Sequence, residues 1–283
     1  MRSVKPLAQL PNLLTLANAG LGLLAISKSI DALALGVAHP QFHGLMESSC
    51  WLVMVAMVLD GLDGRLARLL GTHSDLGAQL DSFADAITFG VAPALVGKVM
   101  LEAHGLGHPR LNFVAAAIFS LMAVLRLARF NVETDDEDDH KSFQGLPSPA
   151  AAGILIATIL MSLSLQGRIE IEGGQETVVG AGLSILPETF RTEMSVFLQH
   201  AILFLLPVIG MLMISRIRYA HGLHALFRAT GVVSLARLVF IVLALFLAPV
   251  PLLFVLGYAY VLYGVIQAGL DRRKASAETR KVA

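Results

Sequence analysis

Charge is what this sequence has least of. Only 15% of its 283 residues are charged against 55% hydrophobic, and the mean hydropathy is +0.71. That excludes a soluble globular chain of ordinary composition, which carries about 25% charged residues. The composition is that of a polytopic membrane protein. Cysteine is nearly missing as well: Cys50 stands alone, which excludes an intrachain disulfide and leaves the redox compartment unread. Net charge is absent, with 21 Lys and Arg against 21 Asp and Glu, but the zero hides an uneven distribution along the chain.

What is present is long apolar runs. They predict an all-α protein with eight transmembrane helices, at about 12–34, 48–70, 80–101, 111–131, 148–166, 197–215, 231–248 and 251–270, each near the ~20 residues needed to cross a bilayer. The first run follows basic residues and contains an A-x-A at Ala17 to Ala19, as a secretory signal does. It continues well past that point, so a retained span is expected. Residues 167–196, polar and Gly-rich, read as an outer loop, and Glu133 to Asp139 as a solvated one. Of the 21 Lys and Arg, an inside N-terminus leaves only Lys28, Lys98, Arg110, Arg168 and Arg191 off the inner side. The positive-inside rule therefore favours N-in and C-in. The whole chain, 1–283, is expected to be one integral-membrane domain, with a catalytic core at 8–165 and additional C-terminal helices at 197–270.

Against this apolar background the stretch DGLDGRLARLLGTHSDLGAQLDSFAD, Asp60 to Asp85, stands out. On a helix Asp60, Asp63, Gly64, Ala67 and Arg68 share one face, and Gly77, Asp81 and Asp85 step by four along another. Gly71 is a helix C-cap candidate, and Ser74 and Asp75 are N-cap candidates, so two antiparallel helices joined by a polar turn bring four carboxylates together. Unpaired, these would repel each other. Oxygen-only ligands with no nearby His or Cys point to hard divalent ions such as Mg²⁺, Mn²⁺ or Ca²⁺. Two such ions can clamp a diphosphate for displacement at phosphorus. Gly64 and Ala67 lack bulk, so a ligand can lie against the helix there, and Arg68 offers a permanent charge to a phosphate oxygen.

The spacing D-x2-D-G-x2-A-R-x8-G-x3-D-x3-D, filled by Asp60, Asp63, Gly64, Ala67, Arg68, Gly77, Asp81 and Asp85, resembles the signature of the CDP-alcohol phosphatidyltransferases. PNLLT, Pro11 to Thr15, is similar to the PN-x-x-T opening that borders the nucleotide in that family, and on its own it also reads as ordinary helix-start chemistry. ARFN with F-x-G-L-P-x-P-A-A-A, and DSFAD-x3-FGVAPA at Asp81 to Ala94, resemble the membrane-integral phosphatidylserine synthases of bacteria and archaea. Close resemblance covers roughly residues 8–165.

The resemblance implies transfer of the phosphatidyl group from CDP-diacylglycerol to L-serine, giving phosphatidylserine and CMP. It implies Mg²⁺ or Mn²⁺, two ions, held by Asp60, Asp63, Asp81 and Asp85, with Asp85 also taking the proton of the serine hydroxyl. Gly64, Ala67, Arg68, Ser74, Asn12 and Thr15 would contact the CDP-lipid. Arg126 and Arg129, three apart at the end of the fourth span, are candidates for the serine carboxylate or a phosphate, or else interfacial anchors. A homodimer in a bacterial inner membrane, with the site facing the cytoplasm, is expected. Small residues such as Gly90 and Gly97 favour close helix contacts. Three rival readings remain: another acceptor such as glycerol 3-phosphate, inositol phosphate or choline; a divalent-cation transporter, which would place the carboxylates at the bilayer midplane; and a non-catalytic scaffold.

Overall fold

The computed structural model describes residues 10–71, 75–134, 145–166, 183, 185–217, 219 and 243–282. Among these the chain is all-helical: α1 (Leu10–Leu35), α2 (Gln41–Leu70), α3 (Asp75–Asp85), a π-helical segment (Ala86–Val91), α4 (Ala92–Ala103), α5 (Pro109–Thr134), α6 (Ser148–Gln166), α7 (Glu188–Met213) and α8 (Pro249–Val282). Among the described residues seven stretches are long and apolar enough to cross a membrane, with α3, the π segment and α4 together forming one of them, Leu76–Ala103.

Helix α1 is inverted relative to a helix of a soluble protein. The buried face of α1 is Pro11, Thr15, Asn18, Gly22, Ala25, Ser29 and Ala32, small or polar at every step. Leu13, Leu16, Leu23 and Leu24 point outward. Hydrocarbon outside offers Leu as good a solvent as a protein core does, so close backbone approach decides what goes inside. Ser49 Oγ on α2 accordingly donates to Ala25 O at 2.6 Å. Helix α6 is the central post, with Ile154, Leu155, Ile156, Ile159 and Leu160 buried. One apolar core runs from Ala25 on α1 to Val250 on α8.

Two glycine positions carry the turns that matter. Gly71 closes α2 at φ +60°, the left-handed conformation expected of a C-cap. Gly145 adopts φ +92° where a Cβ would collide with Met213 O. Its N–H donates to Ile217 O at 2.8 Å, and that of Leu146 to Leu212 O at 3.0 Å. The G-L-P-S-P turn is thus bolted to the end of α7 before α6 begins.

The π segment had no signature in the reading of the sequence. Pro93 has no N–H to give the helix, and Ala92 N–H reaches back five residues to Ile87 O, the wider π spacing. Helices on both sides clamp the segment. Thr88 Oγ1 donates to Asn18 O at 3.1 Å, and Ser120 Oγ to Gly90 O at 3.2 Å. Gly90 lies against Ala123, and Gly97 against Ile202 and Leu206. The two small residues expected to favour a contact between copies are therefore used within the chain.

Boundaries differ from expectation in three places. The second and sixth spans begin earlier, at Gln41 and Glu188, because polar first turns can extend a helix beyond hydrocarbon. Part of the stretch read as an outer loop is thus helical. The last helix continues through the charged tail to Val282. The predicted span at 231–248 falls for the most part outside the described residues, as does most of the Glu133 to Asp139 loop.

Candidate active site

The acidic stretch divides between two helices, α2 ending at Leu70 and α3 beginning at Asp75. Asp60 and Asp63 on α2 and Asp81 on α3 each present a carboxylate oxygen, and these atoms lie within 4.8 Å of one another. Asp85 follows one turn after Asp81, its side chain within hydrogen-bonding reach of Asp60. Its Oδ1 is buried and without a hydrogen-bond partner.

Three like charges at such separations are costly away from bulk water. The donor set is all oxygen, which suits Mg²⁺ or Mn²⁺. The unpartnered Asp85 Oδ1 is a further available ligand atom, so the residues present fit a divalent cation.

The surrounding residues orient these carboxylates. Asp63 is buried, 2% exposed, and Thr15 Oγ1 on α1 lies 3.0 Å from its Oδ2 and 3.0 Å from Pro11 O, so one hydroxyl proton bridges helix and carboxylate. Beside Asp81, Ser82 accepts from Asn131 Nδ2 on α5 at 2.9 Å, tying α3 to the end of that helix. Arg126 on α5 is within electrostatic reach of Asp85. It donates through Nη1 to Ser148 Oγ at 2.8 Å. Arg129, one turn on, is half-buried.

A Cβ at Gly64 would meet no protein atom within 4 Å. Internal packing therefore does not demand glycine there, and the open space suits a ligand lying on the α2 backbone. Asn12 is half-buried near the start of α1. Ala67 and Arg68 lie on α2 with their side chains outside the described residues, as Ser74 is altogether.

The structure thus brings together Asp60, Asp63, Asp81, Asp85, Thr15 and Arg126 from four helices. Ser82, Asn131 and Ser148 join the site as residues not expected there, although each lies in a segment with a recognisable pattern, DSFAD, ARFN and GLPSP; their pairing, across 49 residues for Ser82 and Asn131 and 22 for Arg126 and Ser148, left no local signal.

Residues 8–184 match the family model described as CDP-alcohol phosphatidyltransferase. The chain is similar to a CDP-diacylglycerol–serine O-phosphatidyltransferase of Helicobacter pylori, 32% identical over 265 residues, covering 93% of this chain and 92% of that one. A protein of that same description from Mycobacterium leprae is 44% identical over 119 residues, 41% of this chain and 38% of the other. An archaetidylserine synthase of Methanothermobacter thermautotrophicus is 36% identical over 145 residues, 50% of this chain and 54% of its own. The matched region contains the whole acidic hairpin, and the chain belongs to the CDP-alcohol phosphatidyltransferase family.

Proposed function

We propose that the protein transfers the phosphatidyl group of CDP-diacylglycerol to L-serine, releasing CMP and forming phosphatidylserine. The observation that carries the proposal is the convergence of Asp60, Asp63 and Asp81 within 4.8 Å, with Asp85 beside them and Arg126 within electrostatic reach of it. The names of the relatives, serine transferases from bacteria and a serine-using synthase from an archaeon, support serine as the acceptor.

In the net reaction the serine hydroxyl oxygen forms a bond to the phosphorus that carries diacylglycerol. The bond from that phosphorus to the CMP oxygen breaks, and the hydroxyl proton passes to Asp85. Asp60, Asp63, Asp81 and Asp85 would hold the cation, Mg²⁺ or Mn²⁺ and by family resemblance a pair, which when bound supplies positive charge to the diphosphate and the leaving group. Thr15 fixes the rotamer of Asp63. Gly64 leaves room for the CDP moiety, with Arg68, Ala67, Asn12 and Ser74 assigned to the same ligand on family resemblance. Arg126 holds an anionic group of the acceptor or lipid near Asp85, with Arg129 one turn away. A free carboxylate, of ordinary pKa ~3.9, is a weak base for an alcohol. Its strength here comes from being desolvated and placed against the hydroxyl.

We place the acidic end at the cytoplasmic face of a bacterial inner membrane, on the distribution of Lys and Arg. A homodimer is implied by family resemblance and is read out by light scattering in detergent.

The test is CMP release from CDP-diacylglycerol by purified protein with Mn²⁺ or Mg²⁺, comparing L-serine, glycerol 3-phosphate, inositol phosphate and no acceptor. Release with serine alone, abolished by EDTA and restored by cation, is expected. Release with a different alcohol would overturn the acceptor, and release undiminished by EDTA would overturn the cation.

A further inference from the structure

The acidic hairpin has a second wall, built from parts of the chain far away in sequence. Ser148, which receives Nη1 of Arg126 at 2.8 Å, is fully buried and belongs to the turn bolted to residues 212–217. Two residues past that anchor is Tyr219, 7% exposed, its hydroxyl buried and without a partner. The ring of Tyr219 lies 5.6 Å from that of Tyr260 on α8, tilted by 35°. It rests against Gly264, where a Cβ would collide with it. Tyr260 is half-buried and within electrostatic reach of Arg126, which is itself within electrostatic reach of Asp85. Arg126 is thus hydrogen-bonded to Ser148 and within electrostatic reach of both Asp85 and Tyr260, and Tyr260 in turn lies beside Tyr219.

Three residues of this group present buried polar atoms with no hydrogen-bond partner: Asp85 Oδ1, Arg126 Nε and Tyr219 Oη. Leaving such atoms unsatisfied is costly, more so when they are charged, so three of them in neighbouring residues call for a polar occupant. One acceptor and two donors, one of them cationic, suit a small molecule with a hydroxyl at one end and a carboxylate at the other. Tyr258, two residues before Tyr260 on α8, is the contrast: its hydroxyl is satisfied by Thr158 at 3.0 Å.

We infer that Tyr219 and Tyr260 form the far wall of the acceptor subsite and select a small hydroxylated amino acid by its carboxylate, with Arg126. This rests on the proposed headgroup transfer and adds a selectivity element outside the residues, 8–184, that the family model matches.

The experiment is steady-state kinetics on the full-length protein in lipid nanodiscs, comparing wild type with Tyr219→Phe, Tyr260→Phe and Tyr258→Phe. L-serine and ethanolamine, which lacks the carboxylate, serve as acceptors. Tyr219→Phe is expected to raise the KM for serine about tenfold, the equivalent of one hydrogen bond to a charged group. The KM for CDP-diacylglycerol should move less than twofold, and the preference for serine over ethanolamine should fall. Tyr260→Phe is expected to move the same quantities in the same direction, and it carries the test should Tyr219→Phe not fold. Tyr258→Phe should keep the serine KM of wild type. Wild-type serine KM and selectivity in both the Tyr219 and Tyr260 variants would overturn the inference. If wild type instead turns over another alcohol, the serine assignment fails separately. The wall is then judged on that alcohol, an unchanged KM in both variants overturning it.

Discussion

At one end of the third span Lys98 and Glu102, one turn apart on α4, meet at 2.7 Å with both side chains partly exposed. At the other end Asp60, Asp63 and Asp81, from two helices, gather within 4.8 Å of one another. The first arrangement is complete in itself: each charge has its opposite nearby, and the pair is worth at most about 1 kcal/mol. The second is complete only with something brought from outside, because like charges held together raise the free energy of the fold. A membrane protein with so few charged residues has placed this acidic group where it costs stability, and that cost is the physical argument for a functional site.

Substitutions at the two ends sharpen the contrast. Asp85→Asn keeps the shape of the side chain and removes the base; turnover should fall by roughly 10³-fold, within the range general-base removal gives. Binding of CDP-diacylglycerol should persist, as measured by quenching with a fluorescent lipid. Turnover close to wild type would remove Asp85 from the chemistry. Gly64→Ala comes next. Because a Cβ there meets no protein atom within 4 Å, the melting temperature should hold while the KM for CDP-diacylglycerol rises about tenfold. A fall in melting temperature with unchanged KM would make Gly64 a packing residue.

Thr15→Val removes one hydroxyl from Asp63, a bond to a charged group worth about 1.5–3 kcal/mol. It should raise the Mn²⁺ concentration for half-maximal activity a few-fold and leave the serine KM alone. At the paired end, Glu102→Gln should change stability by no more than about 0.5 kcal/mol and leave turnover as it was. A large loss of activity there would break the division between the two ends.

The sequence made the acidic hairpin legible because the helix repeat is local. Asp60, Asp63 and Gly64 fall on one face by counting alone, and the glycine at Gly71 marks the turn. The long apolar runs likewise revealed the spans, although their ends shifted where polar turns such as the one starting at Glu188 continue a helix into water. What stayed hidden depends on packing between distant helices. Thr15 reads as a nucleotide-bordering or a helix-start residue, and its bond to Asp63, 48 residues away, has no local signal. Tyr260 is one aromatic among apolar neighbours in the sequence, and α8 puts it within electrostatic reach of Arg126. The π segment could not be foreseen either, since Pro93 two residues into a helix is ordinary and its consequence at Ile87 depends on the flanking clamps.

The central claim is that the four carboxylates are gathered to hold a divalent cation, and Mn²⁺ binding followed by electron paramagnetic resonance tests it most directly. Purified wild type and Glu102→Gln should bind Mn²⁺ saturably and alike, with the signal altered when CDP is added, while Asp81→Asn should lose that binding at the same concentrations. Binding by Asp81→Asn that matches wild type would contradict the claim.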